Sequence, residues 1–417
     1  MDITHLRLAY GREELPLDIP SANLLGVYYP QEFHETPDED LLICQAMANP
    51  IGKPPLRQIV KPGQKIAVIT SDMTRPTPSG RLLPYILDEL QDASIPDEDI
   101  IIVLALGVHR PMTESEINAT LSPRICKRYR VINHDPSDTI RVGVTSRGTP
   151  VEIFHPVAAA DVRICLGNIE FHYYAGFSGG AKAILPGCAS RQSIIANHSW
   201  LVKSGADTGK LDDNPVRQDL EDAVALLGVD FILNVVVDGK HRIQGAFAGD
   251  VRAAHRQGCA LVTQRGSVKI PRLADIVVVG TGGHPKDINF FQAHKALETA
   301  RHFVRQDGIL ILLAECGEGF GNEIMQKWLL EVEPEDAIQR IEQGFVFGGH
   351  KGAKIGLILR RAAISLVSSL PEDTVRCIHF TPHPTPQQAL NTALNQLGEQ
   401  SQVLVLPQAG SILPILA

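Results

Sequence analysis

Four side chains stand out in the sequence because they can transfer protons, attack as nucleophiles or bind metals. His172, Lys182 and His198 lie within the 34-residue stretch 167–200, and His109 lies earlier, in the segment GVHRP. The first part of the stretch, NIEFHYYAGFSGG, has no clear helical or alternating apolar period. It is rich in glycine and aromatic residues, a composition better suited to lining a site than to forming a plain core element.

A glycine turn precedes the lysine. Ser178, Gly179 and Gly180 lead towards Lys182, and we expect a helix to follow. Glycines before a helix let backbone amides approach a phosphate, and the N-terminus of the helix favours an anion. The segment is not a Walker motif, because the required spacing of glycines and lysine is absent. A tight turn carrying a solvated lysine remains a second interpretation.

The histidines also admit two interpretations. A lone histidine is more often structural than catalytic, but three histidines near one edge of a sheet favour a shared function. The sequence lacks the H-E-x-x-H pattern and clustered carboxylates, which disfavours a hydrolytic zinc site. Because nickel and zinc both accept imidazole, a single histidine ligand to a metal stays open.

Two further pairs of residues could bind a ligand. Asp72 and Arg75 could hold a hydroxyl group and a carboxylate or phosphate, since arginine binds carboxylates through two hydrogen bonds. A surface ion pair is the alternative. Gln292 and Lys295 are three residues apart on a predicted helix and therefore share a face. That face could close over a ligand, or it could be solvated.

The elements that must position these residues alternate between strand and helix. Buried strands are predicted at 65–70, 99–107 and 160–166, with helices between them. Such alternation implies a mostly parallel sheet, in which ligands bind beyond the carboxyl ends of the strands. The loop of Asp72, the loop of His109 and the beginning of the glycine-rich stretch follow these three strands. The sequence therefore predicts that they share one edge of one sheet.

A second α/β unit is predicted to begin at the strand 274–280. The loop after this strand, TGGHPKD, stands where a dinucleotide fingerprint would, but Pro285 and a missing glycine break the G-x-G-x-x-G pattern. NAD binding is therefore only weakly supported. The basic stretch 265–272 is predicted to be a linker, and another strand is predicted at 375–380.

The composition limits the class of protein. The chain has 417 residues, of which 44% are hydrophobic and 21% charged, as in an ordinary globular protein. Its net charge of -8 argues against a general nucleic-acid binder. An apolar run of about 18 residues is absent, which predicts no membrane span, and the first residues lack the pattern of a signal peptide. The seven scattered cysteines form no C-x-x-C pair, which favours reduced thiols and a cytoplasmic location.

Five motifs follow one another along the chain: SDMTRP at 71–76, GVHRP at 107–111, NIEFHYYAGFSGGAKAILPG at 168–187, NH at 197–198 and PKDINFFQAHKA at 285–296. Together they resemble the lactate racemase family, the 2-hydroxyacid racemases and epimerases that depend on a nickel-pincer nucleotide. The resemblance covers most of the chain and implies an α/β fold of two Rossmann-like domains with mostly parallel sheets. The active site is then expected in the cleft between a domain 1–268, which carries the cofactor and the catalytic histidines, and a domain 269–417, which closes over the substrate.

The resemblance also implies a role for each candidate residue. Lys182 would bind the cofactor covalently, and His198 would be the protein ligand to nickel. The cofactor is pyridinium-3,5-bisthiocarboxylic acid mononucleotide nickel, and cofactor-maturation enzymes are implied as partners. The other implied roles are catalytic acid-base chemistry for His109 and His172, cofactor contacts for Asp72, Ser178, Gly179 and Gly180, and substrate contacts for Arg75, Gln292 and Lys295.

The implied reaction inverts carbon 2 of a 2-hydroxy acid. One histidine takes the hydroxyl proton while a hydride moves to the cofactor ring, and the flat 2-keto acid is then reduced from its other face. The sequence departs from the family at Phe291, where a tyrosine is expected. Loss of a hydroxyl can change substrate choice strongly, so lactate and related hydroxy acids both stay open. A non-catalytic nickel- or nucleotide-binding homologue and an NAD-dependent dehydrogenase are the alternative functions.

Overall fold

The computed structural model describes residues 2–30, 37–410 and 412–416. The chain divides into two compact units: a central unit, Glu32–Arg265, and a terminal unit made of Met1–Gln31 and Gly266–Ala417. The terminal unit resumes at Gly266, beside the predicted boundary between 268 and 269, and it includes the N-terminal segment, which the prediction assigns to the domain 1–268. Residues 1 and 417, the outer limits of the predicted domains, lie outside the described residues.

The strands and helices alternate along most of the described chain. The strands are β1 (Ile3–Tyr10), β2 (Glu13–Pro20), β3 (Leu24–Val27), β4 (Ile66–Ser71), β5 (Ile100–Ala105), β6 (Arg130–Asn133), β7 (Thr139–Val144), β8 (Pro150–Phe154), β9 (Val162–Asn168), β10 (Phe171–His172), β11 (Gly176–Phe177), β12 (Phe231–Val237), β13 (Ile243–Gly249), β14 (Ser267–Ile270), β15 (Ala274–Gly280), β16 (Val304–Leu313), β17 (Ala362–Val367), β18 (Thr381–His383), β19 (Val403–Leu406) and β20 (Leu413–Leu416). The α-helices are α1 (Glu39–Ala48), α2 (Leu56–Ile59), α3 (Ser79–Asp92), α4 (Glu114–Leu121), α5 (Pro123–Arg128), α6 (His155–Ala158), α7 (Arg191–His198), α8 (Pro215–Leu227), α9 (Ala253–Gly266), α10 (Phe290–Ala300), α11 (Glu323–Glu331), α12 (Pro334–Gln343), α13 (Gly349–Leu359), α14 (Glu372–Cys377) and α15 (Pro386–Leu397).

The central unit is built on a sheet with the strand order β13-β12-β9-β4-β5-β6. All neighbours pair in parallel except β13, which is antiparallel to β12. The β4 sequence IAVITS is rich in β-branched residues and buried along nearly its whole length, as expected for a strand covered on both faces. From β4 the chain proceeds to β5 and β6 on one side and returns to β9 and β12 on the other. The strand order therefore reverses between β4 and β9, the place where such sheets bind ligands.

The terminal unit contains a second sheet, ordered β18-β17-β16-β15-β19-β3, in which every neighbouring pair is parallel. The N-terminal segment supplies the edge strand β3 and the hairpin β1–β2. Leu8, Leu17 and Ile19 of that hairpin are buried in a core formed with residues of the central strands of this sheet. This shared core explains why the first residues belong to the terminal unit.

The predicted mixed α/β class with mostly parallel sheets is confirmed. Two local predictions are wrong. The supposed linker at 265–272 contains β14, which pairs in parallel with β20. The supposed strand at 375–380 begins inside α14, which starts after Pro371 with Glu372 and Asp373 in its first turn. Proline before the first turn and acidic residues within it favour the beginning of a helix, and they outweigh the short apolar run.

Candidate active site

Three loops of the central unit leave the sheet at the same edge. Because β9, β4 and β5 are neighbouring parallel strands, the segments that follow them emerge together. These segments carry Asp72 after β4, His109 after β5 and His172 after β9. The Thr77 hydroxyl donates to the Asn168 side-chain oxygen at 3.2 Å, linking the loops on the two sides of the strand-order reversal. The predicted shared edge is therefore observed.

Asp72 orients the ring of His109. Its buried carboxylate lies 2.5 Å from Nδ1 of His109 and also accepts hydrogen bonds from the backbone and hydroxyl of Thr74. Burial acts to raise the pKa of Asp72, but the hydrogen bonds from His109 and Thr74 outweigh it and lower the pKa. An ionised carboxylate requires the proton on Nδ1 of the ring, so Nε2 is the nitrogen that can accept a proton. The side chain of His109 is 35% exposed and can reach a ligand.

A short hairpin, β10–β11, places His172. His172 pairs across it with Gly176, and its Nδ1 accepts a hydrogen bond from the backbone of Ala175 at 3.3 Å. The ring stacks on Tyr173 and meets Tyr174 edge-on. Burial, followed by the positive charge of Lys182, holds the pKa of His172 well below its usual value. The ring is therefore neutral at pH 7, and it carries its proton on Nε2.

The glycine loop is tied down by other parts of the protein. Gly179 and Gly180 both have positive φ angles, of 70° and 55°. The amide of Gly180 donates to the side chain of Asn234 at 2.7 Å. The Ser178 hydroxyl donates to the Asn168 carbonyl and accepts from the Glu170 amide. The loop continues into a single 3-10 turn, Gly180–Ala183, so the predicted helix after the glycines is wrong, and the amide of Gly180 and the hydroxyl of Ser178 already have protein partners.

Lys182 lies in that turn with its ammonium group 5.7 Å from the ring centre of Tyr174. Burial, and then the nearby guanidinium groups of Arg75 and Arg217, hold the pKa of Lys182 well below its usual value. A lowered pKa favours the neutral form of the amine, which is the nucleophilic form. Arg75 itself is exposed on the loop after β4.

His198 is the last residue of α7 and is buried. Its Nδ1 lies 3.0 Å from the side-chain oxygen of Asn197, and its ring meets Tyr174 edge-on. The predicted position of His198 on a helix directly after Asn197 is confirmed. Tyr174 thus contacts His172, Lys182 and His198, which shows that the three side chains surround one aromatic ring.

The other two candidates lie on α10 of the terminal unit. Lys295 donates to the side chain of Gln292 at 2.7 Å, so they share a face as predicted. Phe291 stands in the first turn of α10, and the buried ammonium group of Lys351 lies 3.1 Å from its ring centre. Lys351 also donates to the Phe291 carbonyl at 2.9 Å. Burial lowers the pKa of Lys351 to about 6, with a further lowering from Lys295.

Two of the buried basic residues that were not predicted contact the candidate residues or the hairpin that carries one of them. Arg217 is fully buried in α8 and donates to the carbonyls of Ala175 and Phe177, which fixes the hairpin that carries His172. Lys351 acts on Phe291 from α13. In the sequence both residues resemble ordinary helical surface charges. The apolar residues around each of them were the available signal for burial. That signal could not show which loops they contact, because those loops are distant in the chain.

The glycines after β15 serve packing in the terminal unit. A Cβ atom at Gly283 would lie 2.9 Å from the carbonyl oxygen of Gly11, and one at Gly282 would lie 2.8 Å from the side chain of Gln408. The His284 amide donates to the same Gly11 carbonyl. These close contacts account for both glycines without a dinucleotide, which agrees with the broken fingerprint.

The arrangement can transfer protons at two histidines, form a covalent bond at a neutral amine and attract an anion. Arg75 and Arg217 supply the positive field that an anionic ligand would neutralise. Residues 2–30, 37–410 and 412–416 contain no group of three or more histidine, cysteine or acidic side chains that could hold a metal ion by itself. No helix in this described part is both long and apolar enough to cross a membrane.

Comparison with known proteins gives matches along almost the whole chain. Models of the lactate racemase N-terminal and C-terminal domains match residues 10–209 and 270–413. Lactate racemase from Thermoanaerobacterium thermosaccharolyticum is 31% identical over 99% of both chains. Lactate racemase from Lactiplantibacillus plantarum is 32% identical over 96% of this chain and 97% of its own.

Solved structures show the same likeness. The lactate racemase apoprotein from Thermoanaerobacterium thermosaccharolyticum superposes with a TM-score of 0.87 and 32% identity, covering 99% of this chain and all of that one. A crystal structure of a protein from Thermotoga maritima, 18% identical, has a TM-score of 0.59 over 91% of this chain and 97% of its own. At that identity the second likeness shows the fold alone.

Proposed function

Because the chain belongs to the lactate racemase family, and is therefore an isomerase, we propose that it inverts carbon 2 of a 2-hydroxy acid. The observation that carries the proposal is the opposite hydrogen bonding of the two histidines. His109 donates from Nδ1 to Asp72, whereas His172 accepts at Nδ1 from Ala175. One ring therefore presents a lone pair at Nε2 and the other presents a proton.

An anionic ligand would change the state of His172. Its pKa is lowered by burial and then by the positive groups Lys182 and Arg75. A bound carboxylate or phosphate would offset those charges and raise the pKa again. His172 would then take a second proton, giving up its 3.3 Å contact with Ala175. The site would hold one extra proton, shared between two histidines.

That shared proton makes the two directions of the reaction equivalent. His109 accepts the hydroxyl proton of one enantiomer at Nε2, and Asp72 stabilises the imidazolium that forms. Protonated His172 gives a proton to the oxygen of the 2-keto acid from the other side. The enzyme ends with the proton on His109, which is the state needed to convert the opposite enantiomer. A histidine can serve in either role near neutral pH.

The residues present fit the nickel-pincer nucleotide. A neutral amine at Lys182 is the form that can bond to a thiocarboxylate arm, and His198 is a buried imidazole held by Asn197. When bound, the group would supply the hydride chemistry that inversion at carbon 2 requires. The name apoprotein given to the relative from Thermoanaerobacterium thermosaccharolyticum agrees with a separable cofactor in this family.

The identity of the 2-hydroxy acid depends on the substrate-facing residues. Arg75 offers two parallel hydrogen bonds to a carboxylate, and we propose that Gln292 and Lys295 add contacts from α10. Phe291 lacks the hydroxyl expected at its position, so an acid that needs no hydrogen bond there would be favoured over lactate. Lactate and larger 2-hydroxy or aldonic acids are therefore the substrates to compare.

The test uses protein produced together with the cofactor-maturation enzymes. Intact-mass analysis should show an adduct that disappears in Lys182→Ala but persists in Lys240→Ala, a control at an exposed lysine. Metal analysis should find nickel, and one or more acids of the panel should lose optical activity. Adduct and nickel without turnover on any 2-hydroxy acid would instead indicate a non-catalytic binder. Absence of both after proper maturation would contradict the proposal.

A further inference from the structure

A buried chain of hydrogen bonds leads from His198 to a carboxylate that no part of the reaction uses. The side-chain nitrogen of Asn197 donates to Asp219 at 2.8 Å and to the carbonyl of Val216 at 3.2 Å. The side-chain oxygen of Asn197 faces Nδ1 of His198 at 3.0 Å. Asn197 and Asp219 are both 0% exposed. The three residues come from α7 and α8 of the central unit.

The acceptors at the Asp219 end determine the direction of each hydrogen bond between Asp219 and His198. A carboxylate and a backbone carbonyl are both acceptors, so they require the NH2 group of Asn197. The amide oxygen must then point at His198, and an oxygen can only accept. Nδ1 of His198 must therefore carry the proton, and Nε2 becomes the unprotonated nitrogen. In this way Asp219 selects the tautomer of a ring it does not touch.

Packing alone does not explain why a carboxylate is buried at Asp219. The donors to its carboxylate, besides Asn197, are the hydroxyls of Thr145 and Thr149. Both threonines are buried and belong to the turn between β7 and β8, so all its hydrogen bonds come from neutral groups. A buried carboxylate without a cationic partner costs free energy that apolar packing would not. A role in orienting His198 gives a reason for its presence.

We infer that Asp219 is a positioning residue that, through Asn197, fixes the proton of His198 on Nδ1 and directs Nε2 towards the nickel site. The inference rests on the proposed function for the identity of the metal, but the tautomer is a property of the protein without cofactor. Outer hydrogen-bond partners of a metal-binding histidine fix its tautomer and orientation, and their loss typically lowers metal affinity about 10- to 100-fold.

The experiment is a 15N NMR measurement on histidine-labelled protein without cofactor, with the His198 signals assigned by their absence in His198→Ala. The wild-type ring should show a protonated Nδ1 and an unprotonated Nε2. Asp219→Leu removes the nearer acceptor and leaves Asn197 only the 3.2 Å contact with the Val216 carbonyl, so a mixture of tautomers should appear. Asp219→Asn can still accept from Asn197 through its amide oxygen and should restore the wild-type tautomer. Thr149→Val removes a donor to Asp219 and should lower stability without changing the tautomer.

Nickel content of matured protein supplies the second measurement. Asp219→Leu should retain about 10- to 100-fold less nickel under competition with a chelator than Asp219→Asn and Thr149→Val. A proton on Nε2 in the wild-type protein would overturn the inference even if Asp219→Leu fails to fold. An unchanged tautomer in a folded Asp219→Leu would overturn it as well. If the tautomers behave as expected but the wild-type protein takes up no nickel, the proposed function fails and the orienting role of Asp219 stands.

Discussion

At the scale of single residues, the central unit gives each reactive side chain a defined protonation state. Burial and neighbouring cations keep Lys182 and His172 neutral, whereas Asp72 remains ionised beside His109. These opposite outcomes follow from hydrogen bonding. Asp72 is satisfied by three donors from Thr74 and His109. Burial and nearby basic groups oppose a positive charge on Lys182 and His172. Charge states at this site therefore depend on the set of neighbours more than on residue type.

The contact between Asp72 and His109 gives the first prediction. Asp72→Asn keeps the size of the side chain but allows the wrong tautomer of His109 and cannot stabilise its imidazolium. We expect kcat to fall about 10²- to 10⁴-fold, as for the equivalent change in a catalytic triad, with nickel content retained. Polarimetry on matured enzyme measures the rate. Thr74→Val, which removes one hydrogen bond to Asp72 but not the His109 contact, should cost only a few-fold, so equal losses in the two variants would contradict this role.

A buried lysine gives the second prediction. The pKa of Lys351 is lowered from its ordinary value of 10.5 to about 6, mainly by burial. Between those values the unfolded chain binds the proton and the folded protein does not, so stability rises with pH. Relative to Lys351→Met, the wild-type protein should gain on the order of 1–3 kcal/mol in free energy of unfolding between pH 7 and pH 9. Urea denaturation at both pH values measures the difference.

The control for Lys351 is a lysine on the surface of the same unit. The side chain of Lys327 is 71% exposed, so Lys327→Met should change the free energy of unfolding equally at both pH values. Parallel behaviour of Lys351→Met and Lys327→Met would show that Lys351 remains protonated in the folded protein. The contact of its ammonium group with the ring of Phe291 would then be a cation–π interaction strong enough to offset burial.

At the scale of elements, the site depends on short segments whose backbone can adopt only one conformation. The hairpin β10–β11 is held by Arg217 from one side and by the loop of Lys210 from the other. A Cβ atom at Gly176 would lie 1.8 Å from the carbonyl oxygen of Lys210, and its φ angle is +76°. Only glycine satisfies both requirements, and Gly176 is the residue paired with His172.

Gly176→Ala should therefore destabilise the protein by roughly 3 kcal/mol or more and displace His172. Gly148→Ala is the matched control, because Gly148 has a similar φ angle of +84° with nothing near its Cβ position. It should cost only about 1 kcal/mol, the penalty of the backbone conformation alone. Urea denaturation and racemisation rates measure both effects. Similar stability losses in the two variants would show that the hairpin yields to accommodate a methyl group.

The elements also show where sequence reasoning succeeds. The strands β4, β5 and β9 are largely apolar and buried, and their succession predicted the common edge of Asp72, His109 and His172. The hairpin β10–β11 could not be predicted, because it is only two residues wide on each side and depends on the distant Arg217. A tight turn at Lys182 was one of two interpretations, and the sequence could not decide for it, because a side chain far along the chain, Asn234, holds Gly180 in place.

At the scale of the whole molecule, the two units are not two consecutive halves of the chain. The chain begins in the terminal unit, forms the central unit and then returns. Periodicity could identify β1 and β2 as a hairpin but not the sheet that covers them, since their partners lie more than 250 residues away. The Gly11 amide donates to Asp287 at 2.7 Å, and the Asp18 amide donates to Gln387 at 2.8 Å. Such long-range pairs carry no local signal.

This interrupted arrangement predicts how fragments behave. Residues 37–265 should fold alone, because their sheet and core are complete without the termini. Residues 266–417 should aggregate or remain largely unfolded, because they lack the edge strand β3 and the apolar contacts of Leu8, Leu17 and Ile19, whose burial is worth about 1.5–3 kcal/mol each. A peptide of residues 2–30 should restore their fold, as measured by circular dichroism and by the dispersion of amide signals in NMR spectra.

The decisive comparison is the melting temperature of 266–417 with and without that peptide. A peptide in which Leu8 and Leu17 are replaced by serine keeps the hydrogen-bonding backbone but loses the buried side chains, so it should fail to restore the fold. The three samples are 266–417 alone, with the unaltered peptide and with the serine peptide. If 266–417 melts cooperatively at the same temperature in all of them, it forms a complete domain without the N-terminal segment. If only the unaltered peptide raises the temperature, the terminal unit exists only when both ends of the chain are present, and deletion at either end would remove Gln292 and Lys295 from their folded helix.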